Sequence, residues 1–125
     1  MEWVIHVGLA ELALGALLGW AMVAQSQRPD LLRRWGVIAP HRIRQVHLDY
    51  VFMGLILIAV GLAVPSLPQW IAIPLVFGTI VNPFLFVPQM FSRDVGERLP
   101  YRALAVVSFI GVSGGLLATA IHGPG

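Results

Sequence analysis

Long apolar runs alternate with short polar segments along the chain, and this pattern predicts four helices that span a membrane. A spanning helix needs roughly 20 mostly apolar residues, because the hydrocarbon core of a bilayer is about 30 Å thick. Apolar runs occupy residues 3–24 and 103–121, and residues 50–92 contain no charged side chain. Two prolines in residues 65–69 disfavour helix there and divide the middle stretch in two. The predicted helices cover residues 3–24, 45–64, 70–91 and 102–121.

Composition supports the same interpretation. Of the 125 residues, 58% are apolar and 11% charged, and the mean hydropathy is +0.82. Soluble domains have about 45–50% apolar and about 25% charged residues. These values exclude a disordered chain and an ordinary soluble enzyme, and they predict a single all-α domain, residues 1–125, that lies in a lipid bilayer. Cysteine is absent, which excludes disulfides and thiolate chemistry.

The arginines predict how the chain is oriented. All eight basic residues are arginines, and they lie in residues 25–44 and 92–102, whereas both ends of the chain and residues 65–69 have none. Short basic loops stay on the cytoplasmic side, so we expect both termini outside the cytoplasm, in a multi-pass protein of the inner (plasma) membrane. The arginines lie between apolar runs and therefore do not indicate a nucleic-acid partner. Residues 31–35 form a short basic amphipathic segment that either lies on the inner leaflet or is a solvated connector.

The second apolar run is too short to span a bilayer by itself. Only 15 residues separate Asp49 from Pro65, and a helix of that length covers some 22 Å at about 1.5 Å per residue. The helix must therefore begin earlier in the sequence. This places His47 inside the helix, at the edge of the membrane.

His47 has two interpretations. Arg44, His47 and Tyr50 follow one another at three-residue spacing and therefore share a helix face. A histidine at this depth is either a hydrogen-bonded structural residue or the ligand of a metal or heme. In the second case Arg42 or Arg44 would pair with the heme propionates.

Small residues mark two further helix faces. Gly8, Glu11, Gly15 and Gly19 follow helical spacing, so the glutamate lies on the face that should pack against other helices. Glu11 is either a neutral, hydrogen-bonded acid or a functional group, and we expect it to be protonated because a lone carboxylate is costly at that depth. The small residues at 108–118 are mainly a packing signal, within the chain or between protomers.

The third predicted helix is irregular. Pro74, Pro83 and Pro88 each remove a helix donor, and Pro83 frees the carbonyl of Thr79. Asn82 lies beside that break, near the middle of the membrane. Irregular backbone at this depth is tolerated where it is buried in protein or lines a cavity. Asn82 is therefore either the wall of a pocket, and our candidate catalytic residue, or a structural cap.

The motif from His47 to Gly54, HLDYVFMG, resembles the second helix of the styrene oxide isomerase family and is similar to that of the related hydroxylaminobenzene mutases. Residues 6–8 in the first helix, and Asn82 followed by aromatic residues in the third, resemble the same group. The resemblance implies a homotrimer of four-helix subunits that binds heme b between neighbours, with His47 as the axial ligand.

The reaction that this resemblance implies is an isomerisation without net redox change. Ferric heme acts as a Lewis acid on the oxygen of a small apolar epoxide, and rearrangement gives an aldehyde. Met53 and Phe86 stand where the family has an asparagine and a tyrosine that help to hold substrate. The resemblance therefore favours a retained heme site over a retained reaction.

Two other functional classes fit parts of the sequence. A small proton-coupled multidrug-type transporter would use Glu11 as its cation site, although the strong arginine bias is unlike the weak charge bias of such proteins. A bis-histidine electron carrier would use His6 and His122, which lie at the same predicted depth on different helices. The more ordinary interpretation of that pair is two interfacial residues near the chain ends.

Overall fold

A computed structural model describes residues 2–124, and all regular structure in that range is helical. Four stretches are long and apolar enough to cross a membrane, which confirms the predicted all-α, four-helix membrane fold. The third of these stretches consists of two helices, α4 and α5. The elements are α1 (Glu2–Gln27), α2 (Pro29–Arg34), α3 (His41–Ala63), α4 (Gln69–Phe84), α5 (Phe86–Phe91), a 3-10 turn (Val95–Glu97) and α6 (Leu99–His122).

The helices begin earlier than the hydrophobic pattern predicts. Helix α3 starts at His41, not at residue 45, and α6 starts at Leu99, not at residue 102. Pro40 is the N-cap of α3 and Pro100 lies in the first turn of α6, where a missing N–H costs no hydrogen bond. The helices thus extend beyond their apolar runs into polar turns that carry arginines. His47 therefore lies well inside α3.

The arginine-rich segment between the first two spans forms a helix of its own. Helix α2 follows α1 directly and buries Leu32, while Arg33 and Arg34 are exposed. This agrees with the predicted amphipathic segment, displaced by one or two residues toward the N-terminus. The chain after α2 is tied to α5, because the Ile38 amide donates to the Met90 carbonyl at 2.7 Å.

The third span, Gln69–Phe91, agrees with the helix predicted over residues 70–91 and is interrupted by a turn at Leu85. Pro83 remains inside α4. Pro88 has no N–H to donate to the Phe84 carbonyl, which removes one helical hydrogen bond next to the turn at Leu85. The Tyr101 hydroxyl of α6 donates to the Leu85 carbonyl at 2.5 Å, and the Gln89 amide donates to the same hydroxyl. The Tyr101 side chain thus supplies a hydrogen-bond donor to a backbone carbonyl at the break.

Helices α1 and α3 cross at very short range, and glycine makes the crossing possible. A Cβ atom on Gly54 would lie 2.6 Å from the Gly8 carbonyl oxygen and 2.8 Å from the Leu12 amide nitrogen. A Cβ on Gly15 would lie 2.8 Å from the Val51 side chain. The prediction that the small-residue face of the first helix packs against another helix is confirmed.

Helix α6 packs on α4 through its own small residues. A Cβ on Gly111 would lie 2.6 Å from the Pro74 carbonyl oxygen, and one on Gly115 would lie 2.8 Å from the Leu75 side chain. The packing signal in the last helix is therefore used within the chain at these two positions. Gly114 faces open space. Large apolar side chains cover the outward faces, as a bilayer requires, among them Trp20, Leu62, Phe109, Leu117 and Ile121.

Candidate functional site

The half-buried His47 lies against the backbone of α1. Its Nδ1 is 2.5 Å from the Gly15 carbonyl oxygen. Gly19, one turn further along α1, also faces the ring, since a Cβ there would lie 3.5 Å from the imidazole Cε1. A carbonyl oxygen only accepts hydrogen bonds, so Nδ1 carries the proton. The neutral imidazole then has its lone pair on Nε2.

A groove between α1 and α3 lies toward the arginine end of the bundle, and its nearest lining residue on α3, Arg44, is one helical turn before His47. It contains a cavity of about 390 Å³ lined by Met22, Gln25, Ser26, His41 and Arg44. The three-residue spacing that joins Arg44 to His47 extends back to His41, so the α3 wall of this groove carries basic or imidazole groups on successive turns. The hydrophobic pattern did not identify His41 as a site residue, although this spacing was the available signal.

The four predicted cofactor-binding residues face different neighbours. His47 contacts α1, and Arg44 lines the α1–α3 groove one turn before it. Tyr50 is buried and donates its hydroxyl to the Ile80 carbonyl of α4 at 2.9 Å. Arg42 donates to the Gln45 amide oxygen at 2.7 Å, and its guanidinium lies 5.9 Å from the centre of the Phe86 ring of α5. Arg44, His47 and Tyr50 were predicted to share one face of α3. In the structure this face meets two helices, since His47 contacts α1 and Tyr50 contacts α4.

Asn82, the predicted catalytic residue, faces α6. The Ser108 hydroxyl lies 3.4 Å from the Asn82 Oδ1 and 3.0 Å from the Ala105 carbonyl oxygen, so its one proton is shared between two acceptors. His47 faces α1, on another helix pair. Within residues 2–124 of one chain, the structure does not bring His47 and Asn82 into one site.

Glu11 is the acid that the bundle encloses. Glu11 is 4% exposed, and neither carboxyl oxygen has a partner at full hydrogen-bond geometry among the described residues, although the buried Thr79 hydroxyl lies nearby. A cavity of about 200 Å³ lies beside it, lined by Val7, Ala10, Glu11, Leu14, Tyr50 and Ile80. An unpaired carboxylate is costly in such apolar surroundings. The arrangement fits a neutral acid beside a small apolar cavity.

The remaining histidines lie near the chain ends. His6 and His122 are exposed, and the His122 ring is hydrogen-bonded to the Gly123 carbonyl at 3.0 Å. Across residues 2–124 no group of three or more His, Cys, Asp or Glu side chains is placed to hold a metal ion. A heme iron can be held by one protein ligand. A single histidine such as His47 is therefore enough for a heme, whereas it is not enough for a bare metal ion.

Comparison with known proteins adds no relative: no protein family, curated protein or solved structure matches this chain.

Proposed function

We propose that this protein binds heme b, with Nε2 of His47 as the axial ligand. The observation that supports the proposal is the hydrogen bond from Nδ1 of His47 to the Gly15 carbonyl. A histidine that ligates a metal through one ring nitrogen usually donates its other N–H to a carbonyl or carboxylate, which fixes the tautomer and the ring orientation. His47 already has this second partner, so its free nitrogen carries the lone pair that a metal needs.

The groove supplies groups for the polar edge of the cofactor. Arg44 and His41 line the cavity next to His47, and a guanidinium pairs well with a propionate carboxylate. We assign Arg44 as the propionate partner on this side of α3. Arg42 and Tyr50 contact α5 and α4 instead, so we leave them out of the proposed heme site.

A second copy of the chain would complete the site. His47 is only half-buried by its own chain, and one chain covers the groove on the α1 and α3 sides alone. Asn82 remains our candidate for contacting substrate, and in a homo-oligomer it would meet His47 across a boundary between subunits. The partial exposure of His47 supports a homo-oligomer, and the resemblance to styrene oxide isomerase favours a trimer.

The proposed activity is the isomerisation of a small apolar substrate such as an epoxide. Bound ferric heme would supply a Lewis acid for the epoxide oxygen, so that the ring opens to the isomeric aldehyde with no net electron transfer. The chain contributes the His47 ligand to this chemistry.

The activity is tested with heme-loaded protein and styrene oxide in detergent. We expect an aldehyde of the same mass as the substrate, with no product from the heme-free protein. Hydrolysis to a diol, or no turnover by heme-loaded protein, would contradict the isomerase proposal while leaving heme binding to be tested separately.

The orientation proposed from the arginines has its own test. A C-terminal alkaline phosphatase fusion should be active and a C-terminal green fluorescent protein fusion dark, because the first matures only outside the cytoplasm and the second only within it. An inactive phosphatase with a bright fluorescent fusion would place the arginine segments outside and reverse the assignment.

A second candidate function is proton-coupled transport, and the buried Glu11 favours it. Transport would require Glu11 to exchange a proton for a small lipophilic cation in the adjoining cavity. Cation efflux driven by a pH gradient in vesicles, lost in Glu11→Gln, would support transport. Heme-dependent turnover without such efflux would exclude it.

The state of Glu11 gives a further prediction. If the side chain is a neutral acid, Glu11→Gln replaces it by a neutral group of the same shape. We expect the free energy of unfolding in detergent to change by less than about 1 kcal/mol. The exposed Glu97→Gln is the matched control. Loss of the folded state in Glu11→Gln alone would show that the carboxylate is charged and paired.

A further inference from the structure

Two cavities adjoin each other at the arginine end of the bundle, on the side of α5 and away from His47. The first, of about 440 Å³, has a polar lining that includes Arg42, Gln89, Ser92 and Arg93. The second, of about 380 Å³, is mainly apolar and is lined by Leu32 and Val37 among others. Arg93 and Ile38 line both cavities. Together they offer a polar compartment that opens beside an apolar one.

The polar compartment is held in shape by contacts within the chain. Arg42 is fixed by Gln45 and lies over the ring of Phe86. Gln89 donates its amide to the hydroxyl of Tyr101. Arg42 and Gln89 are therefore already ordered before a ligand binds. The entropy that binding costs is smaller for that reason, which favours affinity.

Positive charge in this compartment is not balanced by the chain. The ion pair found among residues 2–124 joins Arg28 to Asp30, and both side chains are exposed. Arg42 and Arg93 have no carboxylate partner there, and Asp94, next to Arg93 in sequence, is exposed and unpaired. Two guanidinium groups beside a serine hydroxyl and an amide form a set of donors suited to a phosphate.

The apolar compartment identifies the rest of the ligand. Leu32 and Val37 are buried in the cluster that joins α2, α3 and α5, at the level where the bundle passes from polar loop to apolar span. A ligand that fills both compartments carries an anionic head and an apolar tail. Basic pockets of this kind at the cytoplasmic ends of membrane helices bind anionic lipid head groups.

We propose that the Arg42–Arg93 compartment binds the phosphate of an anionic phospholipid from the adjoining leaflet, with the first part of an acyl chain lying in the Leu32–Val37 compartment. The site lies on the α5 side of α3, since Arg42 faces α5, whereas His47 faces α1. His41 and Gln25 line cavities on both sides and are left out of the tests for that reason.

The test is lipid binding to the purified chain in a neutral detergent, followed by native mass spectrometry. The probes are dioctanoyl phosphatidylglycerol, dioctanoyl phosphatidylcholine, glycerol 3-phosphate and inorganic phosphate. We expect phosphatidylglycerol to bind at least about tenfold more tightly than the other three. The double variant Arg42→Gln/Arg93→Gln should weaken its binding about tenfold or more, because both guanidinium groups that would pair with the phosphate are lost.

The control has the same change in net charge. Arg98→Gln/Arg102→Gln removes two exposed arginines at the same end of the bundle that line neither cavity, and phosphatidylglycerol should bind it as it binds the wild type. If both double variants lost phosphatidylglycerol binding equally, the effect would come from the net positive charge of this end of the bundle and not from a site. That result would overturn the proposal. Equal binding of phosphatidylcholine or free phosphate, or displacement of phosphatidylglycerol by added hemin, would also overturn it. The single variant Arg93→Gln, at an exposed position, answers the same question if the double variant does not fold.

Discussion

Replacing His47 by alanine is expected to remove the Soret band of the heme-loaded protein, or to shift it to that of free heme in detergent. The variant loses the lone pair on Nε2, and Arg44 beside it can hold a propionate but cannot ligate iron. We expect heme affinity to fall about a hundredfold or more, since even partners that only orient a ligand contribute up to about that factor. The measurement is a hemin titration followed by absorbance.

The other histidines are the controls for this prediction. His6→Ala and His122→Ala, both exposed near the chain ends, should leave the spectrum unchanged. His41→Ala should keep the Soret band and weaken binding only modestly, because His41 lies at the polar end of the groove. Added imidazole should restore the band in His47→Ala by filling the space of the lost ring. A normal heme spectrum in His47→Ala would rule out the assignment.

Gly54→Ala is expected to separate α1 from α3. The new methyl group would lie within 3 Å of two backbone atoms of α1, the Gly8 carbonyl oxygen and the Leu12 amide nitrogen. Backbone atoms in a helix cannot move aside singly, so the whole helix must shift. Overpacking of this kind costs about 1–3 kcal/mol. The unfolding free energy, measured by titration of the detergent-solubilised protein with sodium dodecyl sulfate, should fall by at least that amount.

Gly114→Ala is the matched control for Gly54→Ala. Both positions are glycines within membrane-spanning helices, but a Cβ on Gly114 meets no atom within 4 Å. Its substitution should leave stability unchanged or raise it slightly, since alanine is the better helix former. Equal stability of the two variants would show that the α1–α3 crossing is looser than described here.

Much of the fold could be predicted from the sequence because a bilayer imposes simple rules. The length of a span is fixed by the membrane, so apolar runs located all four crossings. The shortness of the second run also placed His47 inside a helix, and the structure agrees, with α3 beginning at His41. The sequence predicts a break beside Pro83, whereas the structure has it at Leu85. The difference arises because the break depends on Pro88 and on Tyr101 of another helix.

The partners of individual side chains were beyond the reach of the sequence pattern. Helical spacing placed His47 and Tyr50 on one face, but a helix face about 100° wide can meet two neighbours. His47 meets the Gly15 carbonyl of α1, and Tyr50 meets the Ile80 carbonyl of α4. Backbone carbonyls have no residue type, so no motif identifies them as partners. The sequence placed Asn82 beside Pro83 in the third span, but its contact with Ser108 depends on how α6 packs on α4.

The most direct test of the proposed cofactor is the absorption spectrum of the wild-type protein, expressed with a supply of heme precursor and purified in detergent. A red-brown protein with a Soret band, and a stoichiometry of about one heme for each His47, is the predicted result. A colourless protein that gains no Soret band when hemin is added would contradict the proposal that His47 holds heme.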